Sequence, residues 1–514
     1  MADKFLDEAA GGANNGGSGD DAWQTWAAAM AGASADDNVW VRRTTSTAQA
    51  DHLTPANSGT PSTPIRYIGW PRTAIPNTTI TQAEFTNGSA TVDNIVGITC
   101  ARTQHQGRYI TAPDGFQYLI TQVVDANTVK IDREYTGSTV TGTGGKFQIE
   151  ANEDYADRPA VAQAAYDADA IDLPIIDFND GNFRCLANGN TYIIFKNIEF
   201  KDSTSSDGIL YFNASRAFSV IGCLFKQTTQ NDLCLKVRGS SCFIDRTIFE
   251  GSGAGSAQRG VYVESGACSL KNSAIYNMGD FGVYLYGSTL KMRNVNIGVE
   301  IANGDNDVCV GGSSTPGFAY GVDVSLGGTN GDVICEFNQA NTCHIENYQK
   351  VLGNHKSWFQ GGEYISTAVS GETPNNKLSD TVLKISPNIS GHTYSEQDWK
   401  VKIPLGEINA DAGSQTFKFW IYNGLGVTLN DGDALANFNL AAEYVSSYGD
   451  TTAYTMSTIR SAEHTIAVPA DADDWDSLSV TPTIAVESKI RLWLEISVYS
   501  AAGNLIVDPQ VVIT

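Results

Sequence analysis

Between Phe195 and Ile297 the apolar positions fall into a six-residue phrase that occurs five times. The copies are Phe195-Lys-Asn-Ile-Glu-Phe200, Val220-Ile-Gly-Cys-Leu-Phe225, Ile244-Asp-Arg-Thr-Ile-Phe249, Leu270-Lys-Asn-Ser-Ala-Ile275 and Met292-Arg-Asn-Val-Asn-Ile297. Their closing residues are 25, 24, 26 and 22 positions apart. Side chains on a straight strand alternate faces with period two, so residues five apart point to opposite sides. Both ends of the phrase can face one interior only if the backbone bends between them. The third position holds Asn197, Gly222, Arg246, Asn272 and Asn294. Glycine and asparagine enter the left-handed region most readily, so four of the five suit a sharp bend. Strand, bend and strand, repeated without helical periodicity, predict the coils of a parallel β-helix.

A further short apolar run follows each copy, at 209–212, 234–237, 261–263, 283–285 and 322–324. Gly208, Gly260, Gly282 and Gly321 stand before four of these runs and mark corners. With its bend asparagines, this arrangement resembles the single-stranded right-handed β-helix superfamily, the pectate-lyase-like proteins. The resemblance implies an all-β right-handed parallel β-helix. It leaves function open, because lyases, hydrolases, adhesins and phage spikes use the same coil.

The flanking stretches follow other patterns. Residues 1–20 are small, polar and acidic, and are expected to form a mobile arm. Trp23, Trp26, Ala27 and Met30 recur at helical spacing and predict a short helix that covers the open end of the solenoid, in a segment 21–75 that also holds the first coils. From 76 to 155 the coil spacing disappears and short alternating runs predict a small β-rich insertion. The main β-helix is expected over 156–375, with an excursion at 301–317 on one side. Pro374-Asn-Asn reads as a linker to a C-terminal β-sandwich of jelly-roll type over 376–514. Seven runs there predict strands, at 381–386, 399–408, 416–422, 438–445, 465–468, 478–486 and 490–499. The closing segments, from Trp475 and from Ile490, resemble the C-terminal sandwich of phage β-helix virion proteins and some carbohydrate-binding modules.

Composition narrows the function. The chain has 514 residues with 57 acidic against 33 basic side chains, a net charge of −24. Contacts to nucleic-acid phosphates need clustered Lys and Arg, so nucleic acid is not an expected partner. The nine cysteines show no CxxC pair and are expected as buried thiols. No apolar run reaches the ~18 residues of a membrane helix. The start has neither the basic nor the apolar region of an export signal, so a product of the host cytoplasm is expected. The six histidines are scattered, and no metal or cofactor is expected.

Candidate chemistry is sparse. Asp245 and Lys271 should be neighbours on adjacent coils and read as a surface ion pair. Tyr262, Tyr284 and Asp323 are expected to point outward on successive second strands, where stacked tyrosines beside an acid suit sugar rings or a subunit contact. No aligned column carries a cluster of carboxylates, so no catalytic residue is assigned. In the arm, Asp3, Phe5, Leu6, Asp7 and Glu8 are the candidates for anchoring to a capsid. The resemblance to phage β-helix virion proteins implies a structural protein on the virion exterior, expected as a trimeric head decoration (cement) protein docked on the major capsid protein. The alternative is a tailspike or receptor-binding protein that binds or depolymerises host surface polysaccharide.

Overall fold

A computed structural model describes residues 2–42, 49–141, 147–159, 172–182, 184–214, 216–228, 233–253, 258–304, 307–311, 317–327, 333–335, 342–346, 356–360, 362–364, 383–385, 401–424, 429–430, 436–448, 454–461, 465–466, 476–486, 488–498 and 504–513. The linker expected at Pro374 lies outside these. The fold is a parallel β-solenoid with additional β-sheets. Two compact units divide it, Met1–Val283 with Asn294–Gly304, and Tyr284–Arg293 with Asp305–Thr514.

In the first unit the repeated phrase builds the coil as its parity demands. The bend residues Asn197, Gly222, Arg246, Asn272 and Asn294 all take left-handed φ, between 45° and 62°. Arg246 is the one of the five whose type does not favour that region. Phe200, Phe225, Phe249 and Ile275 are direct register partners on parallel strands, and with Ile297 they are fully buried. The Phe200, Phe225 and Phe249 rings stack with centroids 4.9 and 4.7 Å apart. Along the bend, Asn294 Nδ2 donates to Asn272 Oδ1 at 3.1 Å, and Asn272 Nδ2 donates to Asp245 Oδ1 at 2.8 Å. The side-chain amides thus satisfy one another from coil to coil.

The N-terminal arm is the first correction. Ala2–Leu6 is a strand paired in parallel with Asp37–Val41, which pairs in turn with Ile65–Gly69. Phe5 and Leu6 are buried, Asp7 pairs with Arg42 at 2.9 Å, and Asp3 accepts from the Trp40 indole at 2.8 Å. Glu8 is half-buried beside them. The outer edge of this strand is bonded to the following loop, Phe5 N to Gly16 O and Trp23 N to Phe5 O. The chain therefore closes its own first strand edge, which would otherwise invite pairing with other chains. Behind it comes the helix Trp26–Gly32, capped by the Thr25 hydroxyl and buried through Trp26, Ala29 and Met30, while Ala27 faces out.

The insertion is a six-stranded antiparallel sheet ordered Gln82–Phe85, Thr91–Val96, Thr128–Ile131, Gln117–Asp125, Tyr109–Thr111 and Gln148–Ile149. It carries a core of its own around Phe85, Tyr118, Tyr135 and Phe147. The solenoid runs on past it, since Ile65–Gly69 pairs directly with Thr191–Lys196 and Tyr67 stacks on Phe195 at 5.4 Å.

In the second unit, residues 321–326 turn out to be a sixth copy of the phrase. Gly321 occupies its first inward position, and Asp323 takes the bend with φ 55° on the long strand Phe318–Leu326. The second strand after the fifth copy is Val308–Gly311, inside the stretch expected to be an excursion, and Val333–Cys335, paired with it in parallel, follows the sixth. Among the described residues parallel pairing is last seen at Thr342–Glu346. Lys356–Gln360 and Gly362–Tyr364 add antiparallel, within the stretch expected to be β-helix up to 375. Beyond it, Val401–Ala410, Ser488–Val498, Ala436–Tyr448 and Tyr454–Arg460 form one antiparallel sheet. Leu383–Ile385, Asn504–Ile513, Phe417–Gly424 and Asp476–Val480 form another. Asn504–Ile513 escapes sequence reading because Pro509 interrupts it. The register shifts there, between Asp508 and Val512, which is how a strand accommodates proline.

Candidate functional site

The second sheet of the first unit presents two outward columns. Leu210–Asn213, Leu233–Arg238 and Arg259–Glu264 pair in parallel and bury Phe212, Val237 and Val263 as one inward column. On the opposite face Tyr211, Lys236 and Tyr262 are direct register partners, with Asn213, Arg238 and Glu264 in the next column; Tyr211 is buried at 5% exposure, while Lys236 and Tyr262 are half-buried. The Lys236 ammonium lies 5.3 Å from the ring centroids of both Tyr211 and Tyr262. It also pairs with Asp207 at 2.9 Å and Glu264 at 3.7 Å. A cation held between two ring faces gains from both quadrupoles.

Further charges extend this ladder. Arg184 pairs with Asp207 at 2.8 Å and lies 5.6 Å from the Tyr211 centroid. Arg259 pairs with Asp280 at 2.7 Å and lies between Tyr262, at 5.6 Å, and Phe281, at 5.4 Å. The Arg238 side chain is 54% exposed and meets Glu264 at 3.4 Å. Hydrogen bonding to Tyr211, then the Glu264 charge, holds its guanidinium above the ordinary arginine value. The arrangement is an amphipathic surface of aromatic rings, guanidinium donors and carboxylate acceptors, suited to hydroxyl-rich ligands.

Of the residues expected here, Tyr262 is in the ladder. Tyr284 is half-buried on Val283–Tyr286 and belongs to the second unit. Asp323 is not on a second strand at all, but at the bend described above. Asp245 and Lys271 are register neighbours, yet Asp245 bonds to Asn272 and meets Arg246 at 3.3 Å, while the Lys271 ammonium lies 5.3 Å from the Phe243 centroid. Sequence reasoning missed Tyr211, Lys236, Asp207 and the arginines. Aligning the runs at 209–212 and 234–237 with 261–263 places Tyr211 and Lys236 in the Tyr262 column.

On the first sheet neither outward column beside the Phe200 stack carries more than one carboxylate, but a residue of the insertion joins a glutamate from each. Beside the Phe200 stack, Glu199, Leu224, Ile248 and Ala274 form one outward column, and Lys201, Lys226, Glu250 and Tyr276 the other. The insertion covers these columns. Leu119 and Tyr109 pack on Leu224, Ile248, Ala274 and Tyr276. From the short helix Arg102–His105, Arg102 forms ion pairs with both Glu199 and Glu250, and Gln106 donates to the Tyr276 hydroxyl at 2.8 Å. Burial opposes the Arg102 charge, but the two glutamates outweigh it and hold the guanidinium above its ordinary value. This carboxylate pair is a docking contact, closed to solvent.

His105 beside it is buried and accepts from the Ala101 amide through Nδ1 at 2.9 Å. Burial, aided by the Arg108 and Arg72 charges, pushes its pKa down to about 4. An unfolded chain, with a value of about 6.5, takes up the proton first as pH falls. The stability tied to neutral His105 is therefore complete above that value and is lost on descent toward 4. Taking the protein from about pH 7 to about pH 4.5 is expected to destabilise it by about 2 kcal/mol more than it destabilises His105→Asn. Denaturant titration at the two pH values checks this. The buried carboxyls of Glu300 and Asp132, which burial pushes up, titrate in the opposite sense in both proteins and drop out of the difference.

The eight cysteines whose side chains are described are free and buried, as the sequence predicts.

No protein-family model matches the chain, and no curated protein matches it in sequence. Among solved structures it is similar to the enzymatically active domain of tailspike protein 4 of bacteriophage CBA120, with 12% identity, 66% of this chain and 51% of that one covered, and a TM-score of 0.25. It is also similar to XylC in complex with xylose, with 11% identity, 70% and 72% covered, and a TM-score of 0.32. A xylan-binding domain from Paenibacillus barcinonensis matches 29% of this chain and 78% of its own at 13% identity, with a TM-score of 0.18. The chain spans about half the length of the tailspike domain. At such identities and superpositions these likenesses assign neither activity nor partner.

Proposed function

We propose that this chain is an exterior β-helix protein of a tailed phage that binds host surface polysaccharide on the Tyr211–Lys236–Tyr262 ladder. The observation that carries the reading is this face of a rigid sheet, where the half-buried Tyr262 and the exposed Arg238 stand beside paired charges, with Tyr211 buried beneath them. Tyrosine offers a sugar ring an apolar face and a polar tip, and a solenoid fixes such groups at the ~4.8 Å coil spacing. Sequence resemblance to phage β-helix virion proteins supports the virion setting. The head-decoration reading took its capsid anchor from a free N-terminal arm. Phe5, Leu6 and Asp7 are engaged in the first coil instead, so that reading loses its anchor.

Binding without cleavage fits the carboxylates of the ladder. Asp207, Glu264 and Asp280 are each engaged by a lysine or arginine, which makes them poor candidates for a general acid or a nucleophile. Tyr262→Ala is expected to weaken polysaccharide binding by about 1 kcal/mol, roughly fivefold, with an unchanged melting temperature. Biolayer interferometry on a panel of purified bacterial surface polysaccharides measures it. Undiminished binding by this variant would remove the ladder as the site, and shortened polysaccharide chains after incubation would turn the reading toward an enzyme.

A further inference from the structure

We infer that the polysaccharide bound by this ladder is acidic, with Arg238 receiving the anionic group of the sugar; the inference rests on the proposed glycan-binding reading. The protein as a whole carries a net charge of −24 and would repel an anionic polymer. Its ladder runs against that balance. Arg184, Lys236, Arg238 and Arg259 are set against the three carboxylates Asp207, Glu264 and Asp280. Three of the cations are largely enclosed, with side-chain exposures of 22%, 12% and 23%, and each pairs with a carboxylate at 2.7–2.9 Å.

Arg238 differs. Its side chain is 54% exposed and hydrogen-bonded to Tyr211, and its one ion pair among the described residues, through Nε to Glu264, is long at 3.4 Å. Glu264 also serves Lys236, at 3.7 Å. The guanidinium thus turns part of its planar fork toward solvent next to the tyrosine column. That fork matches a carboxylate or a phosphate with two parallel hydrogen bonds. The shared chemistry is an oxyanion on a sugar, either the carboxylate of an acidic sugar or a phosphodiester linking two sugars. A neutral glycan would use the rings and leave the fork without a matched acceptor.

The full-length protein is tested on an array of acidic and neutral bacterial surface polysaccharides at low and at physiological salt. The glycans bound should be acidic, and their binding should weaken as salt screens the contact. Carboxyl reduction of a bound glycan, or methylation of its phosphodiester to the neutral triester, should lower its binding roughly tenfold, as expected for a lost charge-assisted pair. Whichever treatment does so identifies the anion. Arg238→Gln should give a similar loss on acidic glycans, with an unchanged circular dichroism spectrum. Neutral glycans bound as tightly as acidic ones, or an Arg238→Gln variant that binds like the parent, would overturn the anionic assignment and leave glycan binding standing. If no glycan binds at either salt concentration, the glycan-binding reading itself fails.

Discussion

Replacing Phe225 by alanine is expected to cost roughly 3–5 kcal/mol, among the largest losses available to a single side chain here. Phe225 is the middle ring of three, stacked at 4.9 Å on Phe200 and 4.7 Å on Phe249, with no exposure. The backbone ladders on both sides fix the coil separation, so the neighbouring rings cannot close on the gap. Without collapse the full cavity term applies. The loss should appear as faster amide hydrogen exchange across Glu199–Ser203, Leu224–Lys226 and Ile248–Glu250. Lys226→Ala, one residue away and outward, should stay within about 0.5 kcal/mol. A Phe225→Ala loss below about 1 kcal/mol would mean that the column is not packed as a continuous stack.

Arg102→Met is expected to cost a similar ~3–5 kcal/mol by a different route. The guanidinium is the cation shared by Glu199 and Glu250, and its removal leaves the Glu199 side chain, 3% exposed, charged and unpaired. One oxygen of Glu199 already has no hydrogen-bond partner, so nothing in place can absorb that loss. Because this contact joins the insertion to the solenoid, the variant should gain proteolytic cleavage around residues 72–78 and 150–159. Adding Glu199→Gln and Glu250→Gln to Arg102→Met should recover much of the stability, since the stranded charges are then gone. An Arg102→Met protein as stable and as protease-resistant as the parent would show that the insertion is held by its apolar contacts alone.

The docking contact and the Tyr211–Lys236–Tyr262 ladder were legible in sequence to different degrees. Tyr262 was found because Val261-Tyr-Val263 alternates visibly and follows a corner glycine. Lys236 and Tyr211 obey the same alternation, but they sit in the nearly all-apolar runs Leu233–Arg238 and Leu210–Asn213, where the outward position is less apparent. Asp207 and Arg184 lie outside the strands and join the ladder only through the path of the loops. Asp323 was misplaced because Gly321 fills the first inward position of its phrase. Without a large apolar residue to mark that position, the run at 322–324 reads as a separate strand.

By itself the sequence determined the coil. The five-residue offset, the left-handed bend at the third position and the inward column from Phe200 to Ile297 follow from alternation and bend preference, both of which act within a few residues. Tertiary structure decided what those coils meet. Leu224, Ile248 and Ala274 are apolar at outward positions because the insertion, some 100–150 residues earlier in the chain, covers them. Residues 2–6 are a strand rather than an arm because the parallel edge of Asp37–Val41 and the loop back to Trp23 satisfy their backbone. Composition reports what a segment can bury by itself. Whether a polar segment is ordered, or an outward apolar residue is covered, depends on partners distant in sequence, and those are set only when the coils stack.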